Sequence, residues 1–455
     1  MPENKTKPKG LIIAGTHSSV GKSSITVGFM RLLMRKGYSI KPFKVGPDYI
    51  DPSHHQRACK IPSYNLDTVM CSKKYVTGLF SRIMEKNDFA IVEGVMGLHD
   101  GASPKSERGS TAEAAKLLGL PVIFVIDGQA MARSAAALVK GFQMMDPKVK
   151  FLGVIANHVQ SPGHKKIIKE AIEYHTGLRL LGCLPTDKSL HIPSRHLGLR
   201  QGYELDSHIY EQWANHIENH IDLNLIKKHL KIKKPIAGIT SNKITIPSPV
   251  APKFKVAVAR DEAFQFIYQD TLDLFERKGG EVTFFSPLRD KKLPDSQDLI
   301  YFPGGYPELH LKALTANKNI IIEIIKHFKS GKTIIGECGG LMYLGKTIFD
   351  EKEKSFPMVG IFNFSTTLNP KKLTLGYRNL KLDKEEQLRL TGHEFHYSSF
   401  KINKEPHVAI NSSKTLSVKD GFRKRNALAF YTHIYWGSNE PWLKYILNQN
   451  IEKEG

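Results

Sequence analysis

Residues 10–24 read GLIIAGTHSSVGKSS, and their order decides the fold of the first half of the chain. An apolar run ends in a glycine, crosses a short polar loop, and reaches Gly-Lys-Ser at the start of a helical pattern over Ser24–Lys36. Strand, glycine-bearing loop and helix form the context that a phosphate-binding loop needs. Gly21 lets backbone N–H groups approach phosphates closely. Lys22 reaches the β and γ phosphates, the Ser23 hydroxyl suits Mg²⁺, and the helix N-terminus adds positive potential. Gly15, Thr16, Ser19, Val20 and Ser24 complete the expected ATP-binding loop. Its spacing is one residue longer than the common G-x-x-x-x-G-K-[ST]. An ordinary strand-to-helix turn is the bland alternative, and Gly-Lys-Ser in this setting argues against it.

Outward from this stretch, short apolar runs alternate with helical patterns. Residues 39–45, 89–94, 121–127 and 150–157 read as buried parallel strands, with helices at Thr111–Leu118 and Met131–Met145. Alternating strand and helix predicts a doubly wound parallel sheet, with functional loops at the carboxyl ends of its strands. Acidic residues stand at those ends. Asp48 and Asp51 lie in KVGPDYIDPSHH, and Glu93 and Asp100 in IVEGVMGLHDG. Phosphoryl transfer needs carboxylates that hold Mg²⁺ near the γ-phosphate, so all four are candidates for catalysis. Ser23, Asp48 and Glu93 are the expected metal ligands. Each acid alone also reads as a helix cap or a surface charge. Asp127 has weaker support, and Lys44 suits a phosphate, a substrate carboxylate or plain snorkelling.

Near residue 240 the texture changes to TSNKITIPSPVAPKFK, a proline-rich stretch read as a linker. It divides the chain into expected domains 1–245 and 246–455. The pattern then restarts with strands at 255–260, 280–286, 298–305 and 333–340 and a helix around 264–277. Alternating strand-like runs follow in the last hundred residues. In TIIGECGGLMYL, Cys338 sits at the end of an apolar strand, flanked by glycines and followed by a helical run. This is the layout of a nucleophile elbow, and a helix N-terminus is expected to lower the thiol pKa. Upstream, Gly304 and Gly305 in FPGGYPE suit an oxyanion loop. His433 in AFYTHIYW is the first choice for general base, with His393 and His396 as alternatives. A lone histidine is otherwise more often structural.

Composition bounds these readings. The 455 residues suffice for two or three domains, and 41% hydrophobic with 24% charged is ordinary for a globular protein. No apolar run has the length of a membrane span, and the polar start MPENKTKPKG lacks a signal-peptide core, so a cytoplasmic protein without a membrane partner is expected. Cys59, Cys71, Cys183 and Cys338 make no C-x-x-C pair, which argues against a disulfide framework or a zinc site. The net charge of +22 comes from lysines spread along the chain. The densest run, KKHLKIKK, has no interleaved aromatics, which argues against nucleic acid and leaves room for an acidic substrate.

The set GTHSSVGKS, PFKVGPDYIDPSHH, VEGVMGLHDG, PSRHLGL, FPGGYPE, GECGGLMYL and GHEFHYS resembles the cobyrinate a,c-diamide synthase family, over residues 10 to 440. The resemblance implies a P-loop domain similar to dethiobiotin synthetase, whose loop has the same lengthened spacing, and a flavodoxin-like class I glutamine amidotransferase domain. It implies amidation of the a and c carboxylates of a corrinoid precursor through an acyl phosphate, using ATP, Mg²⁺ and glutamine. Cys338 then matches the glutaminase nucleophile and His433 its base. Asp48, Ile50, Asp51, Glu93 and Asp100 match synthetase positions, with Arg195 in HIPSRHLGLR a candidate for a substrate carboxylate. The common glutaminase triad has Glu two residues after the histidine. Tyr435 stands there, and the cobalamin branch usually lacks this Glu too. Ser19 replaces a frequent glycine and is expected to be tolerated. Cobyric acid synthase, and the same reaction on hydrogenobyrinate or nickel-sirohydrochlorin, are neighbouring readings. A regulatory ATPase of the ParA or MinD kind is a distant one, with no use for a glutaminase. The partners expected are small molecules, and a homodimer is compatible with the resemblance.

Overall fold

The computed structural model describes residues 9–85, 89–190, 200–230, 253–371, 373–382, 388–403, 407–412 and 417–448. The chain forms two compact units, Met1–Thr245 and Ile246–Gly455. Among the described residues no helix is long and apolar enough to cross a membrane.

The first unit is built on strands β1 (Gly10–Gly15), β2 (Ile40–Val45), β3 (Tyr64–Leu66), β4 (Phe89–Glu93), β5 (Val122–Asp127), β6 (Phe151–Asn157) and β7 (Leu180–Leu184). They pair in parallel in the order β3-β2-β4-β1-β5-β6-β7. Helices α1 (Lys22–Arg35), α2 (Ile50–Cys59), α3 (Lys73–Ile83), α4 (Thr111–Leu118), α5 (Ser134–Met145), α6 (Pro162–Thr176), α7 (His208–His220) and α8 (Leu223–Leu230) complete it. Every residue of β1 and β4 is buried, because helices cover both faces of the sheet. Leu11 and Ile13 pack with Val27, Leu33, Trp213 and Ile217 in one core cluster. Strand order reverses at β1, with β2 beyond β4 on one side and β5 on the other. That switch point is where a parallel sheet opens a ligand crevice, and residues 15–24 occupy it.

The second unit contains β8 (Phe254–Ala259), β9 (Gly280–Phe285), β10 (Leu299–Phe302), β11 (Thr333–Glu337), β12 (Thr347–Phe349), β13 (Ser355–Pro357) and β14 (Phe364–Thr367). It continues through β15 (Thr374–Leu382), β16 (Arg389–His396), β17 (Ser399–Asn403), β18 (His407–Ser412), β19 (Ser417–Lys424), β20 (Ala427–Phe430) and β21 (His433–Ile434). Its helices are α9 (Gln269–Arg277), α10 (Leu311–Ala316), α11 (Lys318–Lys329), α12 (Gly339–Leu344) and α13 (Glu440–Asn448). The main sheet has the order β21-β16-β15-β18-β19-β20-β11-β10-β8-β9.

The strands from β20 to β9 are parallel, as the flavodoxin-like reading expects. The other five continue the sheet antiparallel. Only Tyr431 and Thr432 separate β20 from β21, yet β21 pairs with β16 at the far end of this extension. The extension therefore ends on the segment that directly follows its first strand in the chain. The helix expected around 264–277 begins only at Gln269. Residues before it are drawn to the β10 loop instead, where the Gly304 carbonyl accepts the amides of Gln265 and Phe266 at 2.9 Å each.

Candidate active sites

In the first unit, β1 delivers the loop and α1 receives it. Gly21, the residue before α1, has φ +100°, a conformation that L side chains rarely adopt, and a Cβ there would collide with the Asn157 amide. Ser19 also has positive φ, 67°, which accounts for glycine being frequent at its position. The loop is anchored at its ends: Thr16 N–H donates to Val125 O at 3.1 Å, and Asn157 Nδ2 donates to Val20 O at 3.0 Å. Ser24 lies half-buried in the first turn of α1. Lys22 folds back over the loop, with Nζ donating to His17 O at 2.7 Å. Burial and the charge of Lys44 lower its pKa to about 8.

Ser23 Oγ donates to Glu93 Oε1 at 2.7 Å. This joins the loop to the end of β4. The same Oε1 lies 3.2 Å from Lys44 Nζ, which also donates to the Asp51 carboxylate and to Gly94 O at 3.0 Å. Burial opposes the Lys44 charge, yet Asp51 and Glu93 outweigh it and raise its pKa. Burial likewise works to raise Asp51, and Lys44 overcomes this to leave it well below the usual carboxylate range. Asp48 is raised by burial and by the neighbouring Asp51 charge. Its Oδ1 accepts the amides of Ile50 at 2.8 Å and Asp51 at 3.1 Å and so starts α2. Oδ2 lies 3.8 Å from Lys44. Asp100 accepts Gly97 N–H at 2.8 Å, closing a turn that touches the loop through Leu98 N–H to Gly15 O at 2.8 Å. Asp127 bonds His158 Nδ1 at 3.0 Å, away from Lys44. Arg195 and its segment lie outside the described residues.

The donors at this site are hard oxygens, as Mg²⁺ requires. Ser23 Oγ and Glu93 Oε1 already converge at the end of the loop. No group of three or more His, Cys, Asp or Glu gathers in metal-holding geometry among the described residues. Mg²⁺ at phosphates needs only one or two protein oxygens, the rest coming from water and the nucleotide, so Ser23 and Glu93 fit it. Asp48 is committed on one oxygen to the start of α2.

In the second unit, β11 ends at Glu337 and Cys338 turns the chain into α12 with φ 49° and ψ −103°, a strained elbow. Its amide donates to Phe430 O of the adjacent β20 at 2.7 Å. The β10 loop closes over the turn: a Cβ on Gly339 would stand 3.1 Å from the Gly305 amide nitrogen. The His433 ring lies against Gly304, where a Cβ would be 2.9 Å from Nδ1 and 3.1 Å from Nε2. His433 pairs across strands with His393, while the His396 ring stacks on Tyr431 with centroids 4.1 Å apart. Asp420 fixes the chain before His433, accepting Tyr431 N–H at 3.1 Å, Thr432 N–H at 3.2 Å and Thr432 Oγ1 at 2.9 Å. Tyr435 turns away to Asp270, its Oη 3.3 Å from Oδ2.

The electrostatics correct one expectation. The Cys338 thiol is pushed up, not down, by burial and by Glu308, and the short α12 with its Gly339 amide only partly offsets this. Glu308 is itself raised to about 7 by burial. Burial and the neighbouring His393 and His396 imidazoles lower His433 to about 3. The pair at rest is therefore a neutral thiol and a neutral imidazole near pH 7. Burial also lowers His393 and His396, each to about 4.

Residues 11–199 match the family described as CobQ/CobB/MinD/ParA nucleotide binding domain, and residues 255–441 the CobB/CobQ-like glutamine amidotransferase domain. The chain is 39% identical over 439 residues to the cobyrinate a,c-diamide synthase of Picrophilus torridus, covering 95% of this chain and 97% of that one. It belongs to the cobyrinate a,c-diamide synthase family. Two further members of that name come from Listeria innocua, at 36% identity with 94% and 96% coverage, and Methanobrevibacter smithii, at 37% with 93% and 95%.

Within this cobyrinate a,c-diamide synthase fold, the structure brings Ser23, Lys44, Asp51 and Glu93 together in one unit. In the other it sets His433 on Gly304, and Gly305 beside the Cys338 turn. Sequence reasoning missed His55, which donates from Nε2 to Glu93 Oε2 at 2.7 Å. It also missed Asp420 and the influence of Glu308 on the thiol. His55 had a readable signal, standing four residues after Asp51 and so on the same face of a helix. Asp420 had none.

Proposed function

We propose that the protein is an ATP-dependent, glutamine-using amide ligase that converts the a and c carboxylates of cobyrinate to amides. The observation that carries the reading is the Ser23–Glu93–Lys44–Asp51 chain of contacts at the phosphate loop, in a member of a family whose relatives bear that activity as their name.

In the first half-reaction a substrate carboxylate oxygen attacks the γ-phosphorus of ATP, ADP leaves, and an acyl phosphate forms. Lys22 neutralises charge on the transferred group, and the Gly15–Ser24 loop and the α1 N-terminus hold the phosphates. Ser23 and Glu93 are the proposed Mg²⁺ ligands, and the ion would supply charge neutralisation at the phosphate oxygens. Lys44 keeps Asp51 and Glu93 in place, and Asp48 and Ile50 open the loop that meets the substrate. Asp100 shapes the turn under the phosphate loop. In the second half-reaction Cys338 Sγ attacks the glutamine amide carbon as His433 takes the thiol proton. The Gly304 and Gly305 amides face the developing oxyanion. His433 returns the proton to the departing nitrogen, which leaves as ammonia, and water hydrolyses the thioester to glutamate. Ammonia attacks the acyl phosphate carbon and inorganic phosphate leaves.

The raised thiol pKa gives His433 its task. A neutral imidazole beside a neutral thiol transfers the proton as attack proceeds, instead of relying on a standing thiolate. The test is product mass after incubating cobyrinate with ATP, Mg²⁺ and glutamine, with nickel-sirohydrochlorin in parallel. A gain of two amides on cobyrinate is expected. Amidation of the nickel compound alone would overturn the substrate, and amidation of neither would overturn the reading.

A further inference from the structure

Glu93 is wholly buried and has both carboxylate oxygens engaged. Oε1 takes the Ser23 hydroxyl and faces Lys44, while Oε2 takes His55 Nε2 at 2.7 Å. His55 is equally buried, and its other ring nitrogen, Nδ1, lies 3.0 Å from Ser63 Oγ. A carboxylate only accepts, so Nε2 carries the hydrogen toward Glu93, while Nδ1 hydrogen-bonds the Ser63 hydroxyl. A hydrogen-bonded relay results, joining Ser63, His55 and Glu93, with Ser23 of the phosphate loop closing on the opposite oxygen.

His55 also stands four residues after Asp51 in α2, so the two share a helix face. Asp51 grips Lys44 and His55 grips Glu93. The neighbouring His54 points elsewhere, with Nδ1 3.0 Å from Tyr210 Oη and Nε2 2.8 Å from Arg200 O. Helix α2 is thus fastened on one face to the phosphate site and on another to α7. The same helix begins at Ile50 under the Asp48 cap.

We propose that His55 is a positioning residue for Mg·ATP: it holds Glu93 in the one orientation that keeps Oε1 on Ser23, and it ties the helix after the Asp48–Ile50 loop to that metal-binding oxygen. The proposal rests on the assignment of ATP and Mg²⁺ to this unit. A carboxylate that has lost its buried donor turns toward other partners, here Lys44, and ceases to present Oε1 to the ion. Outer partners of metal-binding groups typically contribute 10–100-fold to affinity.

The experiment is calorimetric titration of the whole protein with a non-hydrolysable ATP analogue, in EDTA and across a Mg²⁺ series. In the wild type, Mg²⁺ is expected to tighten analogue binding. In His55→Leu the Mg²⁺ concentration for half the gain is expected to rise about 10–100-fold, with affinity in EDTA unchanged. His55→Gln, whose amide N–H reaches the Nε2 position, is expected to recover most of the loss. Equal weakening of His55→Leu in EDTA and Mg²⁺ would mark a merely structural histidine and overturn the proposal, as would wild-type behaviour. A wild type indifferent to Mg²⁺ would overturn the metal reading beneath it. Should His55→Leu fail to fold, as thermal unfolding would report, Ser63→Ala carries the same test: a rise in the Mg²⁺ requirement supports the relay, and wild-type values overturn it.

Discussion

The contact between Gly304 and His433 offers a sharp perturbation. Gly304 lacks the positive φ that only glycine tolerates easily, so Gly304→Ala adds a methyl group without backbone strain. That methyl would sit 2.9 Å from His433 Nδ1 and 3.1 Å from Nε2, and closer still to Cε1. Ordinary carbon contacts begin near 3.5 Å, so either the ring or the β10 loop must shift by more than about 1 Å to clear Cε1. The ring is confined: it packs on Phe266 with centroids 6.2 Å apart, its backbone pairs with His393, and Asp420 clamps the two preceding residues. The loop is confined too, since the Gly304 carbonyl holds the amides of Gln265 and Phe266. A displacement of about 1 Å at reacting groups costs on the order of 10²-fold in rate, whether base or oxyanion loop moves. The assay compares amidation driven by glutamine with amidation driven by ammonium salts. The expected result is a fall near 10²-fold with glutamine and an unchanged ammonium rate. A glutamine rate within a few-fold of wild type, in a folded protein, would refute the role given to His433.

Cys338→Ala is expected to abolish glutamine-dependent amidation and spare the ammonium-dependent rate; loss of both in a folded protein would break the division of labour. Lys22→Ala is expected to remove both activities, and retention of either would sink the ATP role. ATP phosphates favour the charged form of Lys22, so binding takes up a proton once pH exceeds its resting value of about 8. Calorimetry is expected to show the ATP Kd rising with pH above 8, by up to about tenfold per unit, and Lys22→Arg is expected to flatten that slope. Asp420→Ala takes the side-chain acceptor from three buried amides, those of Gly421, Tyr431 and Thr432, each loss costing about 1–3 kcal/mol. A lower Tm and a reduced glutamine-dependent kcat are expected, with partial recovery in Asp420→Asn.

Much of this was legible because period and punctuation agree. GLIIAG followed by Gly-Lys-Ser gives strand, turn and helix at once, and GECGGLMYL does the same around Cys338. Helix α2 was not foreseen, since IDPSHHQRAC carries no apolar stripe. Beside Ala58 and Cys59 it buries three polar residues, Asp51, His54 and His55, and such burial is intelligible only when the partners are in view. The sign of the Cys338 shift was misread for a related reason. A helix N-terminus is visible in sequence, but the desolvation of an elbow under a neighbouring loop is not. Glu308 was quoted within FPGGYPE, and its charge on the thiol emerges only from three-dimensional proximity. The antiparallel half-sheet escaped because pairing of β15 with β18, or β16 with β21, depends on chain reversals that no local pattern specifies.

The ladder that ends on the segment following its own first strand has a temporal consequence. The thiol lies midway through the second unit, while the imidazole that must deprotonate it is carried by β21, which pairs with β16. Such distant pairings form late because loop closure must precede any gain from them. A growing chain therefore exposes its nucleophile long before the base arrives. Glutamine hydrolysis, which needs thiol and imidazole together, therefore waits on the last strand of the sheet.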